Sequence, residues 1–413
     1  MNIHNLSRPI LAVYCFALVP IYTWLAFFGH VPYVYTSILL LAALAGYGAL
    51  SHVLSRRGRD PTLRIPINQT MGFAAASLSL ISIWIFYNFA AGDKVDAAGR
   101  SMFSTNLGLL ANYIAWLGIG VAIGNGFKWN EGSIRAALSV SWIILSLFFA
   151  MQIDITTGAI SFASETSEKK SMYLLFADFY AVSALLAIAV MRGSKLPILI
   201  FIISSAMLFV LQSRASLFFF AFTFVAFNVL SRSFRAKLGV TVAFAAILIA
   251  IPLVDLSQIG AAGRMTVFFD RGLTGDASFL GRMQLLQEGI STIANNPVLG
   301  SYNSLVANGS VTSYIHNILS YWQLYGLIVF ALMFFLLVIS PGKYIVKNLL
   351  AKRQNAMPAY VKATSLISLF VIIQILTARA YVWHFSWFLV GLMAVRSRDL
   401  QWQEIETIEG SSE

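Results

Sequence analysis

The stretch "SYIHNILSYWQLYGLIVFALMFFLLVIS", residues 313–340, contains no Asp, Glu, Lys or Arg. A helix crosses the hydrocarbon of a bilayer with about twenty mostly apolar residues, so this pattern predicts a membrane span over 314–340. The first residues of the stretch are more polar than the rest, and they include His316, one of only five histidines in the chain. The apolar part indicates the fold, and the polar part indicates a site.

The composition extends this interpretation to the whole chain. Of its 413 residues, 58% are hydrophobic and 11% are charged, and the mean hydropathy is +0.76. An ordinary soluble domain carries about 25% charged residues, so a soluble fold with this composition would expose large apolar patches and aggregate. We therefore predict an all-α integral membrane protein.

Twelve apolar runs have the length of a span, and the first lacks the small-residue cleavage site of a signal peptide. The predicted spans cover residues 9–29, 33–53, 66–91, 101–125, 133–152, 171–191, 196–213, 215–231, 238–255, 314–340, 361–378 and 380–396. If both termini are cytoplasmic, nineteen of the 28 Lys and Arg residues fall in inner segments, as the positive-inside rule requires. Topology and attraction to anionic lipid then explain most of the net charge of +11, and no nucleic-acid partner is expected.

The predicted spans divide the chain unevenly. Nine of them lie within residues 1–255, three lie within 314–396, and a cytoplasmic tail covers 397–413. Residues 256–313 form one large outer loop between the two groups. Apolar residues recur at helical spacing inside this loop, which predicts an amphipathic helix near 281–295. The apolar residues of this helix are Met283, Leu286, Ile290 and Ile293.

Four arginines of the outer segments are candidates for binding an anion. Arg214 and Arg379 lie in short hairpins between spans, whereas Arg264 lies in the large loop. Arg282 lies beside the apolar stripe of the predicted helix, so we expect it to point towards the protein body. A guanidinium can donate two hydrogen bonds to phosphoryl oxygens and therefore suits a phosphate. The alternative for each arginine is a contact with lipid headgroups.

His316 shares one predicted helix face with Ser320 and Gln323, because a helix that begins near Tyr314 repeats its faces at i, i+4 and i+7. A polar stripe within a span faces protein or a water-filled cavity. Histidine titrates nearest to neutrality, so His316 is the candidate general base for an attacking hydroxyl. The alternative is a histidine that only hydrogen-bonds a neighbour at the beginning of the helix.

Several classes of site are not expected. The sequence contains no Walker loop, no H-E-x-x-H motif and no close group of acidic residues. The single cysteine, Cys15, can form neither an internal disulfide nor a zinc cluster. We therefore predict no metal and no cofactor.

Three motifs resemble a known superfamily. They are "QSRASLF" (212–218), "FLGRMQLLQEGISTIANNPVLGSYNS" (279–304) and "SYIHNILSYWQLYGLIVF" (313–330). An arginine-containing helix, a following "NPVLG", and an "HN" that opens a span continuing into "YGL" resemble the shared region of the bacterial O-antigen polymerase and O-antigen ligase superfamily.

The resemblance implies a glycosyltransferase of the bacterial inner membrane that acts at the periplasmic face, which makes 256–313 a periplasmic loop. Its donor is a glycan on undecaprenyl pyrophosphate, and the transfer inverts the configuration at the sugar carbon. By this resemblance Arg214 and Arg282 hold the pyrophosphate, and His316 meets the acceptor hydroxyl as general base or orienting group. Arg264 and Arg379 are candidates for the same binding role from their position alone.

Polymerase and ligase differ in their acceptor, which is a second lipid-linked repeat unit for a polymerase and the lipid A core for a ligase. The ligase pattern has a tryptophan a few residues after the arginine of the loop helix, and "RMQLLQ" (282–287) has none. The sequence therefore favours a polymerase, with a ligase and a lipid-linked oligosaccharide transporter as alternatives. The expected partners are the lipid-linked donor and acceptor, membrane lipid and a chain-length-regulating co-polymerase.

Overall fold

In a computed structural model, the protein is a helical membrane protein. The structure describes residues 9–32, 36–55, 68–96, 99–126, 132–154, 159–160, 173–191, 193, 195–231, 277–307, 313–350 and 357–395. Within this part of the chain, seven helices are long and apolar enough to cross a membrane.

The described helices are α1 (Pro9–Phe27), α2 (Thr36–Ser55), α3 (Gln69–Ala90), α4 (Met102–Gly126), α5 (Gly132–Ala150), α6 (Tyr173–Val190), α7 (Lys195–Val210), α8 (Arg214–Ser231), α9 (Ala277–Asn295), α10 (Ser304–Ala307), α11 (Leu319–Leu349), α12 (Ala359–Thr377) and α13 (Phe385–Val395). A short two-stranded antiparallel sheet of β1 (Ile153–Asp154) and β2 (Ala159–Ile160) follows α5. Eleven of the twelve predicted spans overlap a helix, namely α1 to α8 and α11 to α13. The predicted span 238–255 lies outside the described residues, so the total of twelve stays a prediction.

Helices α4 and α13 approach each other closely through glycines. A Cβ atom on Gly120 would lie 2.3 Å from the carbonyl oxygen of Phe388, and one on Gly391 would lie 2.3 Å from that of Leu117. The two backbones therefore touch where neither helix carries a side chain. Small residues are typical of such crossings in membranes, because lipid supplies no hydrophobic force that pushes helices together.

The amphipathic helix predicted near 281–295 is present as α9, but its buried side differs from the predicted stripe. A Cβ atom on Gly289 would lie 2.2 Å from Cγ1 of Ile315, so the backbone of α9 lies directly on the segment before α11. Gly289 is buried, whereas Met283 and Ile290 of the predicted stripe are exposed. Part of the apolar stripe therefore does not pack on the protein body.

The helix predicted from Tyr314 begins only at Leu319 and is broken once, at Gly326. The φ angle of Gly326 is +82°, a value that glycine adopts without steric strain. The N–H of Leu327 donates to the carbonyl oxygen of Val298 at 3.0 Å, and the N–H of Ser301 donates to that of Gln323 at 2.7 Å. The loop after α9 thus supplies hydrogen bonds that the broken helix cannot make for itself.

The glycine at the break is predicted to be essential for stability. A Cβ atom on Gly326 would lie 2.1 Å from the carbonyl oxygen of Val298, and the positive φ adds strain of about 1–3 kcal/mol. We expect Gly326→Ala to lower the midpoint of thermal unfolding in detergent. Unfolding can be followed with a thiol-reactive fluorophore, because the single cysteine, Cys15, is buried in the fold.

Gly342→Ala is the matched control, because Gly342 lies within α11 and has no atom within 4 Å of its added Cβ. The role assigned to Gly326 would be refuted if the two variants melted at the same temperature.

Candidate functional site

The predicted site residues that the structure describes lie at one end of the helical bundle, which we call the site end. It comprises the beginnings of α4, α6, α8 and α11 and the ends of α3 and α12. Hydrogen bonds between Ser216 and Asp178, and between Ile318 and Ile375, join the beginnings of α6 and α8 and bring the beginning of α11 to the end of α12. The hydroxyl of Tyr302 bonds the carbonyl oxygen of Met102 at 3.2 Å and joins the loop after α9 to α4.

A non-helical segment, residues 313–318, lies directly before α11 and carries His316. Before the histidine, the N–H of Ile315 donates to Oε1 of Gln323 at 3.0 Å. After it, the N–H of Ile318 donates to the carbonyl oxygen of Ile375 at 2.7 Å. The backbone on both sides of His316 is therefore held by α11 and α12.

The predicted polar stripe of His316, Ser320 and Gln323 is wrong as a shared face. His316 precedes the helix, so helical spacing does not relate it to the other two residues. The Oγ of Ser320 accepts the N–H of Tyr381 at 2.8 Å, and Gln323 accepts the N–H of Ile315. Both side chains are buried and fix the backbone of neighbouring loops.

The His316 ring is half-buried, and its centroid lies 5.2 Å from that of the Tyr314 ring. Among the described residues, no group forms a hydrogen bond with its imidazole nitrogens. Burial, and after it the positive charges of Arg282 and Arg379, lowers the pKa of His316 from 6.5 to about 4. The imidazole is therefore neutral at pH 7 and can accept a proton.

Tyr314 is not a competing base at neutral pH. Burial raises the pKa of its hydroxyl to about 12, although the charge of Arg379 acts in the opposite direction. Its ring also contacts that of Tyr381, with centroids 5.2 Å apart. Tyr314 therefore packs between His316 and the loop that follows α12.

Arg282 and Arg214 reach the site end from different elements. Arg282 is half-buried on the Gly289 side of α9, as predicted from its position beside the apolar stripe, and its charge acts on His316. Arg214 is the half-buried first residue of α8, two residues before Ser216. The fourth predicted arginine, Arg264, lies outside the described residues.

Arg379 is buried and forms a bidentate ion pair with Asp178. The Nε and Nη2 atoms of Arg379 lie 2.7 and 2.8 Å from Oδ2 and Oδ1 of Asp178. Nη2 also donates to Oγ of Ser216 at 3.1 Å, and Nη1 contacts the carbonyl oxygen of Ala378 at 3.3 Å. This geometry favours a structural role over the anion-binding role predicted for Arg379.

Asp178 is a further residue of the site end, and the sequence motifs did not indicate it. It also accepts hydrogen bonds from Oγ of Ser216 at 2.7 Å, Nε1 of Trp383 at 2.9 Å and Nε2 of Gln374 at 3.4 Å. Its signal in the sequence is simple, because Asp178 is the only charged residue of α6. A carboxylate inside a membrane span is usually paired with an opposite charge, so Asp178 indicates a basic partner elsewhere in the chain.

The part of the chain described by the structure contains no group of three or more His, Cys, Asp or Glu residues placed to hold a metal ion. The prediction of a metal-independent reaction rests on the sequence. In comparisons with known proteins, no family model matches the chain. No curated protein matches it significantly.

Breaking the Asp178–Arg379 pair is predicted to destabilise the protein strongly. Asp178→Asn leaves the buried charge of Arg379 without its counter-charge, which typically lowers the free energy of unfolding by about 3–5 kcal/mol. We expect a lower melting temperature in detergent and less protein in the membrane.

The control is the double substitution Asp178→Leu with Arg379→Met, which removes both charges together. We expect it to melt above the single variant, because no uncompensated charge stays buried. A single variant as stable as the wild type would show that the pair has no structural importance.

Proposed function

We propose that the protein is an O-antigen polymerase, a metal-independent inverting glycosyltransferase that joins undecaprenyl-pyrophosphate-linked repeat units. In this proposal the chain crosses the bacterial inner membrane twelve times and both termini are cytoplasmic. The site end then faces the periplasm, and residues 256–313 form a periplasmic loop.

One observation carries the proposal. A neutral histidine, His316, lies at the end of a membrane-spanning bundle, where the charges of Arg282 and Arg379 act on it, and the described residues leave its imidazole without a hydrogen bond. A proton acceptor beside positive charge suits a reaction in which a hydroxyl attacks and an anionic group leaves. The motif resemblance supplies the identity of the substrates.

The proposed transfer gives His316 one role and gives Arg282 and Arg214 a second, shared role. His316 accepts the proton of the acceptor hydroxyl, whose oxygen forms a bond to C1 of the donor sugar. The bond between C1 and the pyrophosphate oxygen breaks on the opposite face, which inverts the configuration. Arg282 and Arg214 stabilise the negative charge that collects on the departing pyrophosphate, because fixed positive groups stabilise charge as it develops.

The substrate itself contributes to the basicity of His316. With a pKa of about 4, the imidazole is a weak base in the protein without ligand. A bound pyrophosphate brings negative charge to the neighbourhood of Arg282 and offsets the charge that lowers this pKa. The base therefore gains strength when the donor is bound.

The acceptor is tested by reconstitution of the purified protein with lipid-linked repeat units. A ladder of chain lengths on a gel supports the polymerase. Product that forms only after addition of lipid A core would replace the polymerase with the ligase alternative. Movement of the lipid-linked glycan across the bilayer without new bonds would identify a transporter.

The catalytic role of His316 is tested by substitution in the same assay. We expect His316→Ala to lower the rate about 10²- to 10⁴-fold, the usual contribution of general acid–base catalysis. The melting temperature should change little, because the side chain of His316 makes no hydrogen bond to the described residues.

Lys343→Gln is the control for general effects of substitution, because Lys343 is exposed towards the other end of α11. Wild-type rates for His316→Ala would remove His316 from the mechanism.

The pH dependence of the rate provides a separate prediction for Arg282. The rate requires neutral His316, so it falls as the pH drops through the pKa of this residue in the substrate complex. Because the charge of Arg282 lowers the pKa of His316, we expect Arg282→Gln to move this acid limb to higher pH. The measurement is the rate at saturating donor from pH 4 to 8, with Lys343→Gln as the control. An acid limb that stays at the same pH would show that the charge of Arg282 does not act on His316.

A further inference from the structure

The exposed surface of α9 has two sides of different character. At about 100° per residue, Phe279, Met283 and Ile290 lie within about 40° of one another, and we call them the apolar side. All three side chains are exposed. Gln284, Ser291 and Asn295 form an equally narrow polar side, which is also exposed.

The exposed apolar surface continues beyond the helix. Val298 and Leu299 in the following loop are 59% and 61% exposed, and Leu327 and Ile328 on α11 are also exposed. The hydrogen bond from the N–H of Leu327 to the carbonyl oxygen of Val298 joins the loop to α11. Since α11 is a membrane span, its exposed apolar residues face lipid, and the exposed residues of the loop adjoin them.

The length of α11 indicates the depth of this loop. Its 31 residues span about 46 Å, whereas the hydrocarbon is about 30 Å thick. Lys343 and Lys347 are exposed, and exposed lysines place their charges at or beyond the hydrocarbon boundary. Counting about twenty residues back from Lys343 brings the opposite boundary close to Gln323. Val298, bonded to Leu327, therefore lies near that boundary.

We propose that α9 lies along the membrane surface with its apolar side, together with Val298 and Leu299, buried among lipid acyl chains. The polar side then faces water, and the Gly289 side rests on the segment that carries His316. This arrangement is typical of interfacial helices, which bury an apolar face about 5–10 Å into the boundary between headgroups and acyl chains. The proposal rests on the fold alone and does not depend on the glycosyltransferase activity.

The test measures the surroundings of single fluorophores on α9. Met283→Cys and Ile290→Cys place a thiol on the apolar side, and Gln284→Cys and Asn295→Cys are the matched controls on the polar side. Cys15 is buried, so wild-type protein carried through the same reaction reports any background labelling. Each variant is labelled with a maleimide fluorophore and reconstituted into phosphatidylcholine–phosphatidylglycerol vesicles.

Quenching then shows whether each side of α9 faces lipid or water. We expect nitroxide-labelled lipid to quench labels at positions 283 and 290, and aqueous iodide to quench labels at 284 and 295. A nitroxide near the headgroup should cause a greater loss of fluorescence than one at the bilayer centre, because an interfacial helix is shallow.

Two outcomes would overturn the proposal. Quenching of the labels at 283 and 290 by iodide would place the apolar side in water. Protection of these labels from both quenchers would mean that a protein surface, such as a second copy of the chain, covers the apolar side. Neither outcome depends on the glycan-transfer assay, so the two proposals can fail separately.

Discussion

The ion pair between Asp178 and Arg379 is the interaction on which the site end depends. Moving two charges out of water is costly, and only complete hydrogen bonding and close opposite charge offset that cost. The carboxylate of Asp178 on α6 meets this requirement with donors from other elements. Ser216 comes from α8, Gln374 from α12, and Arg379 and Trp383 from the loop before α13. One buried carboxylate thus fixes the relative positions of four parts of the chain.

The break in α11 at Gly326 is the second constraint. Irregular backbone is tolerated at membrane depth only where protein or water satisfies its polar groups. Here the loop after α9 does so through Val298 and Ser301, and the indole N–H of Trp84 donates to the carbonyl oxygen of Leu324 at 3.0 Å. This docking also anchors the C-terminal end of α9 against α11. The helix that carries Arg282 is therefore held close to the segment that carries His316.

These constraints separate structural roles from chemical ones. Ser320, Gln323 and Arg379 are polar residues at the site end, and each is engaged in holding backbone or a buried charge. His316 differs, because its backbone neighbours are fixed while its imidazole is half-buried and has no hydrogen bond among the described residues. A proton acceptor needs a fixed backbone and a ring nitrogen that is available to accept a proton, and His316 has this arrangement among the described residues.

The sequence by itself determined the class of protein and the existence of its helices, because the thickness of the hydrocarbon sets the length of every span. It also indicated α9, since the periodicity of Met283, Leu286, Ile290 and Ile293 is local information. It could not show which side of α9 is buried. Lipid is as apolar as a protein core, so hydrophobicity alone does not distinguish the side that packs on protein from an exposed side.

Only the tertiary structure decided the partners of the polar residues. Arg379 and Asp178 are 201 residues apart, and nothing local to Arg379 distinguishes an arginine that pairs with a carboxylate from one that binds a phosphate. In the same way, the helix start at Leu319 rather than Tyr314 follows from hydrogen bonds to Gln323 and Ile375, which hold residues 313–318 in a non-helical form. The residue types were visible in the sequence, but their roles depend on long-range contacts that the folded chain alone creates.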